Sequence, residues 1–117
     1  MNKTREKVSR IIDEILMFQF NAGITDTHMD LRKEENGFRI VFTANCENRE
    51  QGAKQVETLN RFLKVEKNEA VEAYFWELAG DDEGCDDSEL QLIGQMLDEA
   101  DARMESNLMI ISMFKKF

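Results

Sequence analysis

The side chains best suited to chemistry are two cysteines, Cys46 and Cys85, and one histidine, His28, and no two of them sit at the short spacing of a tetrahedral zinc site. With no second histidine, no GxSxG run and no cysteine close to His28, no nucleophile and base can be read as a pair. His28 reads instead as a strand-surface residue. The densest cluster is AYFWELAGDDEGCDD at 73–87, where three adjacent aromatics, including the only tryptophan, Trp76, lead into an acidic, glycine-bearing loop. A calcium EF-hand needs oxygen ligands at loop positions one, three and five, glycine at six and glutamate at twelve. Anchored on Gly84, those ligand positions fall on Ala79, Asp81, Glu83 and Leu90, so the first and last ligands are missing. Asp81, Asp82, Asp86 and Asp87 could still hold a divalent cation weakly; the plainer reading is a solvated loop. Carboxylate pairs for acid/base work can be drawn from any chain with 24 acidic residues, and nothing singles one out. No catalytic, cofactor-binding or metal-ligating residue is therefore assigned, and no cofactor is expected.

The balance of charge narrows the partners. Against 24 acidic residues stand 15 scattered basic ones, a net charge of −9 that repels polyanions. Nucleic acid and anionic membrane surfaces are both disfavoured, because phosphate binding needs clustered Lys and Arg. The longest apolar runs, ILMF at 15–18 and LMII at 108–111, are far short of the ~20 residues of a membrane span. The opening MNKTREKVSR is basic but runs into an amphipathic helix rather than a signal-peptide core, so a cytoplasmic protein is expected. With 42% hydrophobic residues in 117, one domain spanning 1–117 can bury a real core. A disulfide between Cys46 and Cys85 does not suit a reducing cytosol.

The elements that would position any site follow from periodicity. Val8, Ile11, Ile12, Ile15 and Leu16 recur at helical spacing over 4–20, with Gly23 just past the end. In THMDLRKEENGFRIVFTAN an Asn36-Gly37 turn lies between two alternating segments, a hairpin signal. Pairing outward from that turn sets Leu31 opposite Phe42, Met29 opposite Ala44, Arg32 opposite Val41 and Glu34 opposite Arg39. Helical spacing resumes through Val56, Leu59, Phe62 and Leu63, supported by an i,i+4 pair, Glu50 to Lys54. Over 67–79 Val71, Phe75 and Leu78 form one stripe flanked by Tyr74, while Trp76 points nearly opposite. Ser88 and Gln91 then read as the capping box of a further helix. In ADARMESNLMIISMFKKF, β-branched Ile110 and Ile111 and the Ser106-Asn107 turn favour a second hairpin over a continued helix. The order α-β-β-α-α-α-β-β predicts an α+β fold: a two-layer sandwich whose four-stranded antiparallel or mixed sheet carries its helices on one face.

A long first helix with acidic residues, a hairpin, further helices and a closing strand pair together resemble a cut-down, degenerate GHKL fold, the ATP-binding domain of histidine kinases and anti-sigma-factor kinases. In the family's ELxxNAxxHG-like box an asparagine binds magnesium; here EILMFQFNAG at 14–23 keeps the acidic position as Glu14, places Phe18 at the asparagine position, and has Asn21 three residues later. The DxGxG adenine loop would follow the second strand, where the chain reads TANCENREQG, without aspartate. The six glycines are dispersed and form no phosphate lid. The resemblance thus implies a member that has lost ATP chemistry.

Two functions are expected from this. The first is a non-catalytic regulatory or protein-interaction domain that self-associates as a homodimer or binds a protein partner. The alternative is a nucleotide-binding, histidine-kinase-like or anti-sigma-factor-like domain. The second hairpin sets Ala102, Met104, Met109, Ile111 and Met113 on one face, matching a core-facing set of Met29, Leu31, Phe42 and Ala44. The opposite face carries Leu108, Ile110 and Phe114 beside Val41 and Thr43, an apolar patch that a partner would cover. The candidate interface residues are therefore Trp76, Val41, Leu108, Ile110 and Phe114.

Overall fold

The computed structural model describes residues 3–64 and 87–117. The expected helix at 67–79, with Tyr74, Phe75 and Trp76, and the acidic loop with Cys85 lie outside these residues. The described elements are α1 (Thr4–Asn21), β1 (Thr27–Lys33), β2 (Gly37–Asn45), α2 (Arg49–Leu63), α3 (Asp87–Met96), β3 (Glu99–Glu105) and β4 (Leu108–Lys116). They form the expected α+β fold, with one antiparallel sheet in the order β1-β2-β4-β3.

Helix α1 buries Val8, Ile11 and Ile15 from the predicted stripe. It stops in a Schellman motif: the Gly23 and Ile24 N–H groups donate to the Phe20 and Gln19 carbonyls, and Gly23 takes the positive φ, +83°, that the reversal requires. Helix α2 starts at Asn48, whose side-chain oxygen accepts the Gln51 N–H at 3.1 Å. Its i,i+4 ion pair joins Glu57 to Arg61 at 4.0 Å, and the expected Glu50–Lys54 pair is not formed among the described residues. Helix α3 buries Leu92, Ile93 and Met96. It begins at Asp87, one residue ahead of Ser88. Gly94 lets α3 approach α2 so closely that a Cβ there would overlap the Phe62 carbonyl.

The second hairpin forms as expected, closing from Glu105 to Leu108 around Ser106, whose φ is +53°, and Asn107. The first hairpin is displaced from expectation. Leu31 faces Ile40, Met29 faces Phe42 and Arg32 faces Arg39, a slip of two residues from the register expected about Asn36-Gly37. The turn is Glu35-Asn36: the Glu34 N–H donates to the Gly37 carbonyl at 2.7 Å, and Gly37 is already the first residue of β2. The glycine answers a different need, because the β4 backbone runs so close that a Cβ on it would overlap the Lys115 carbonyl. Since side chains alternate with period two, a slip of two leaves every residue on its expected face. Glu34 still reaches Arg39, now at 3.7 Å along a diagonal.

The core lies between this face and the helices, where Ile40, Phe42, Ala44, Met109, Ile111 and Met113 are fully buried. Met29 and Leu31 are a correction to the expected core. They project to the same side, yet each is 45% exposed, because the described helices pack chiefly over β3 and β4 and leave the edge strand β1 uncovered.

Candidate functional site

The face turned away from the core is ordered by register. Across the strands it reads Thr43–Ile110–Arg103, Val41–Ser112–Asp101 and Arg39–Phe114–Glu99, with Leu108 between Asn45 and Glu105. Val41, Leu108, Ile110 and Phe114 therefore share one surface, as the sequence pattern sets them. Their exposure differs. Leu108 is 41% exposed, Val41 and Ile110 are half-buried, and Phe114 is buried because the Arg39 guanidinium lies 4.8 Å above its ring. Glu34 and Glu99 hold that guanidinium at 3.7 and 3.8 Å. Along β3 Arg103 bridges Asp101 and Glu105, at 3.7 and 3.1 Å, so charged pairs frame a short apolar stripe. Trp76, the remaining candidate, lies outside the described residues.

The two sheet edges differ. In β3 the residues that bond to β4 alternate with residues whose N–H and C=O point outward. Ala102 is one of the latter, and the Asn60 side chain satisfies both of its groups: Nδ2 donates to the Ala102 carbonyl at 2.9 Å, and the Ala102 N–H donates to Oδ1 at 3.0 Å. An amide from α2 thus stands where a neighbouring strand would, and Lys64 adds a 3.0 Å contact to Asp101.

At the other edge, bonds from Glu34 N–H to the Gly37 carbonyl and from Asn45 N–H to the Asp26 carbonyl fix both ends of the β1–β2 ladder. Even-numbered residues of β1 accordingly face β2, and Thr27, Met29, Leu31 and Lys33 turn their N–H and C=O groups outward. Among the described residues nothing caps these groups, and β1 is exposed from His28 to Lys33.

A cavity of about 640 Å³ opens between the α1–β1 turn and the β2–α2 turn. Asp26, Glu47, Asn45, Asn48 and Gln51 line it, with no lysine or arginine. The Gln55 amide spans its rim to the Ala22 carbonyl at 3.4 Å. The segments 14–23 and 43–52, where the asparagine box and adenine loop of a GHKL domain would fall, both contribute to this wall. Cys46 also lines it as a buried free thiol, its pKa raised by desolvation and partly offset by a backbone hydrogen bond at Met109. His28 is a surface residue of β1, 84% exposed, with Asp26 at 3.5 Å. Among the described residues no three His, Cys, Asp or Glu side chains gather to hold a metal, and no helix is long and apolar enough to cross a membrane.

Comparison with protein families, with characterised proteins and with solved structures finds no match for this chain. Sequence reasoning missed Asn60 and the open edge. The signal for Asn60 was present: a carboxamide adjoining Leu59 and Leu63 on the buried side of α2 must find a polar partner there.

Proposed function

We propose that this chain is a non-catalytic protein-interaction domain that self-associates through its sheet. The observation that carries this reading is the exposed strand β1, with Met29 and Leu31 uncovered and its outward backbone groups unbonded among the described residues. Soluble proteins commonly blunt such edges, and here the opposite edge is blunted by Asn60. The apolar stripe of Val41, Leu108 and Ile110, on the face turned away from the described helices, supplies further contact surface. A regulatory role suits such a domain, since binding a second chain needs no chemistry from the buried Cys46 or the exposed His28. The mass in solution tests the reading: light scattering on the whole chain should give a value above 13.6 kDa that falls on dilution. A constant 13.6 kDa at all concentrations overturns it.

A second reading, nucleotide binding, is favoured by one observation, the meeting of segments 14–23 and 43–52 at the cavity. The lining weighs against it, because Asp26 and Glu47, in a wall without lysine or arginine, repel a polyphosphate. ATP with magnesium should raise the melting temperature if this reading is correct and leave it unchanged if the first is.

A further inference from the structure

Building on the self-association reading, we infer that two copies join edge to edge through β1, antiparallel, forming one continuous eight-stranded sheet with Leu31 facing its own counterpart on the two-fold axis. The other edge is not available, because Asn60 already occupies the Ala102 backbone.

Hydrogen-bond parity admits the pairing. The outward groups belong to Thr27, Met29, Leu31 and Lys33, so an incoming antiparallel strand must present its own groups at matching alternate positions. A second copy of β1, turned about an axis perpendicular to the sheet, does so when the axis passes through Met29, Asp30 or Leu31. The ladder to β2 runs without a break in register, so β1 carries no bulge to bend it away from a partner, and the chain has no proline.

Charge chooses the register. An axis at Asp30 sets two like carboxylates directly opposite, which is destabilising. An axis at Met29 places Asp30 against His28 of the second copy and carries Arg32 beyond the strand, toward Asp26. An axis at Leu31 sets Asp30 opposite Arg32 of the second copy, and by symmetry Arg32 opposite Asp30, two carboxylate–guanidinium pairs that both lie within the strand. These two side chains are 60% and 68% exposed and already lie 3.4 Å apart within one strand, so they can exchange partners across the axis at little cost. On the helix side the same register buries Leu31 against Leu31 and lays Met29 along the aliphatic stem of Lys33. The described helices do not obstruct this, since they leave β1 uncovered.

The test is the dissociation constant of the whole chain by analytical ultracentrifugation, with circular dichroism to monitor folding. Leu31→Pro removes an N–H that points away from β2, so it should leave the fold intact and abolish the dimer. Asp30→Arg and Arg32→Asp should each weaken the dimer by about tenfold or more through like-charge contact, and the double variant Asp30→Arg/Arg32→Asp should restore it. Charge reversal carries the test alone if Leu31→Pro fails to fold. A wild-type chain that is monomeric overturns this inference together with the self-association reading. A wild-type dimer indifferent to all these changes overturns the β1 edge and leaves self-association standing. Loss of the dimer in both single variants without recovery in the double variant overturns the Leu31 register.

Discussion

Asn60 and Ala102 exchange two hydrogen bonds, side-chain amide to backbone, and together close one edge of the sheet. The pair also fixes α2 to β3, since an amide can meet both backbone groups only at one height along the strand. Asn60→Leu removes both bonds and leaves the Ala102 N–H and carbonyl without their partner. The expected loss is about 1–3 kcal/mol in urea denaturation. Asn60→Asp keeps an acceptor for the Ala102 N–H but sets a carboxylate oxygen against the Ala102 carbonyl, so it should lose stability as well.

Gly37 is expected to resist substitution because of the strand beside it. Its Cβ would overlap the Lys115 carbonyl and stand 2.8 Å from Lys116 Cα, so even Gly37→Ala should cost about 1–3 kcal/mol. The denaturation midpoint is the measurement. An unchanged midpoint for Gly37→Ala would show that β2 and β4 are not in this close contact.

Ile110 and Ile111 are neighbours in β4 on opposite sides of the sheet. Ile111 is fully buried in the core, so Ile111→Lys places a charge among apolar side chains and should cost more than about 3 kcal/mol or prevent folding. Ile110, half-buried on the face turned away from the described helices, should accept lysine at about 1 kcal/mol. Thermal melts of the two variants decide this. A folded Ile110→Lys monomer derived from a wild-type dimer would place the contact on the face turned away from the described helices.

Cys46 should be a slow thiol. Burial raises its pKa above the ordinary 9.0, so the thiolate is scarce in the folded chain and the sulfur is shielded. A thiol reagent should label it much more slowly in buffer than in denaturant. The sign for stability follows from linkage. A group whose neutral form is favoured by folding contributes fully below the unfolded pKa, and that contribution falls as pH rises through 9.0 toward the folded value. Cys46→Val should flatten the alkaline limb of the stability profile, and an unaltered limb would remove Cys46 as its cause.

Periodicity and turn composition placed the described elements, and the faces were legible because face selection depends only on alternation. Val8, Ile11 and Ile15 had to be buried on any helix that packs, and Ile111 and Ile110 had to part across any strand. Register was less legible. Asn36-Gly37 has the composition of a tight turn, but the turn formed one residue earlier because β4, remote in sequence, needed a glycine beneath it. Met29 and Leu31 show the same limit. Alternation assigns them correctly to the helix side, while their exposure depends on how far across the sheet the helices extend, and that is set by packing between helices and strands. For the candidate site, sequence determined that Val41, Leu108, Ile110 and Phe114 share a face. Only the tertiary structure decided that Arg39 closes over Phe114, that Asn60 seals β3, and that no described element covers β1, because each depends on distances between segments that periodicity does not encode.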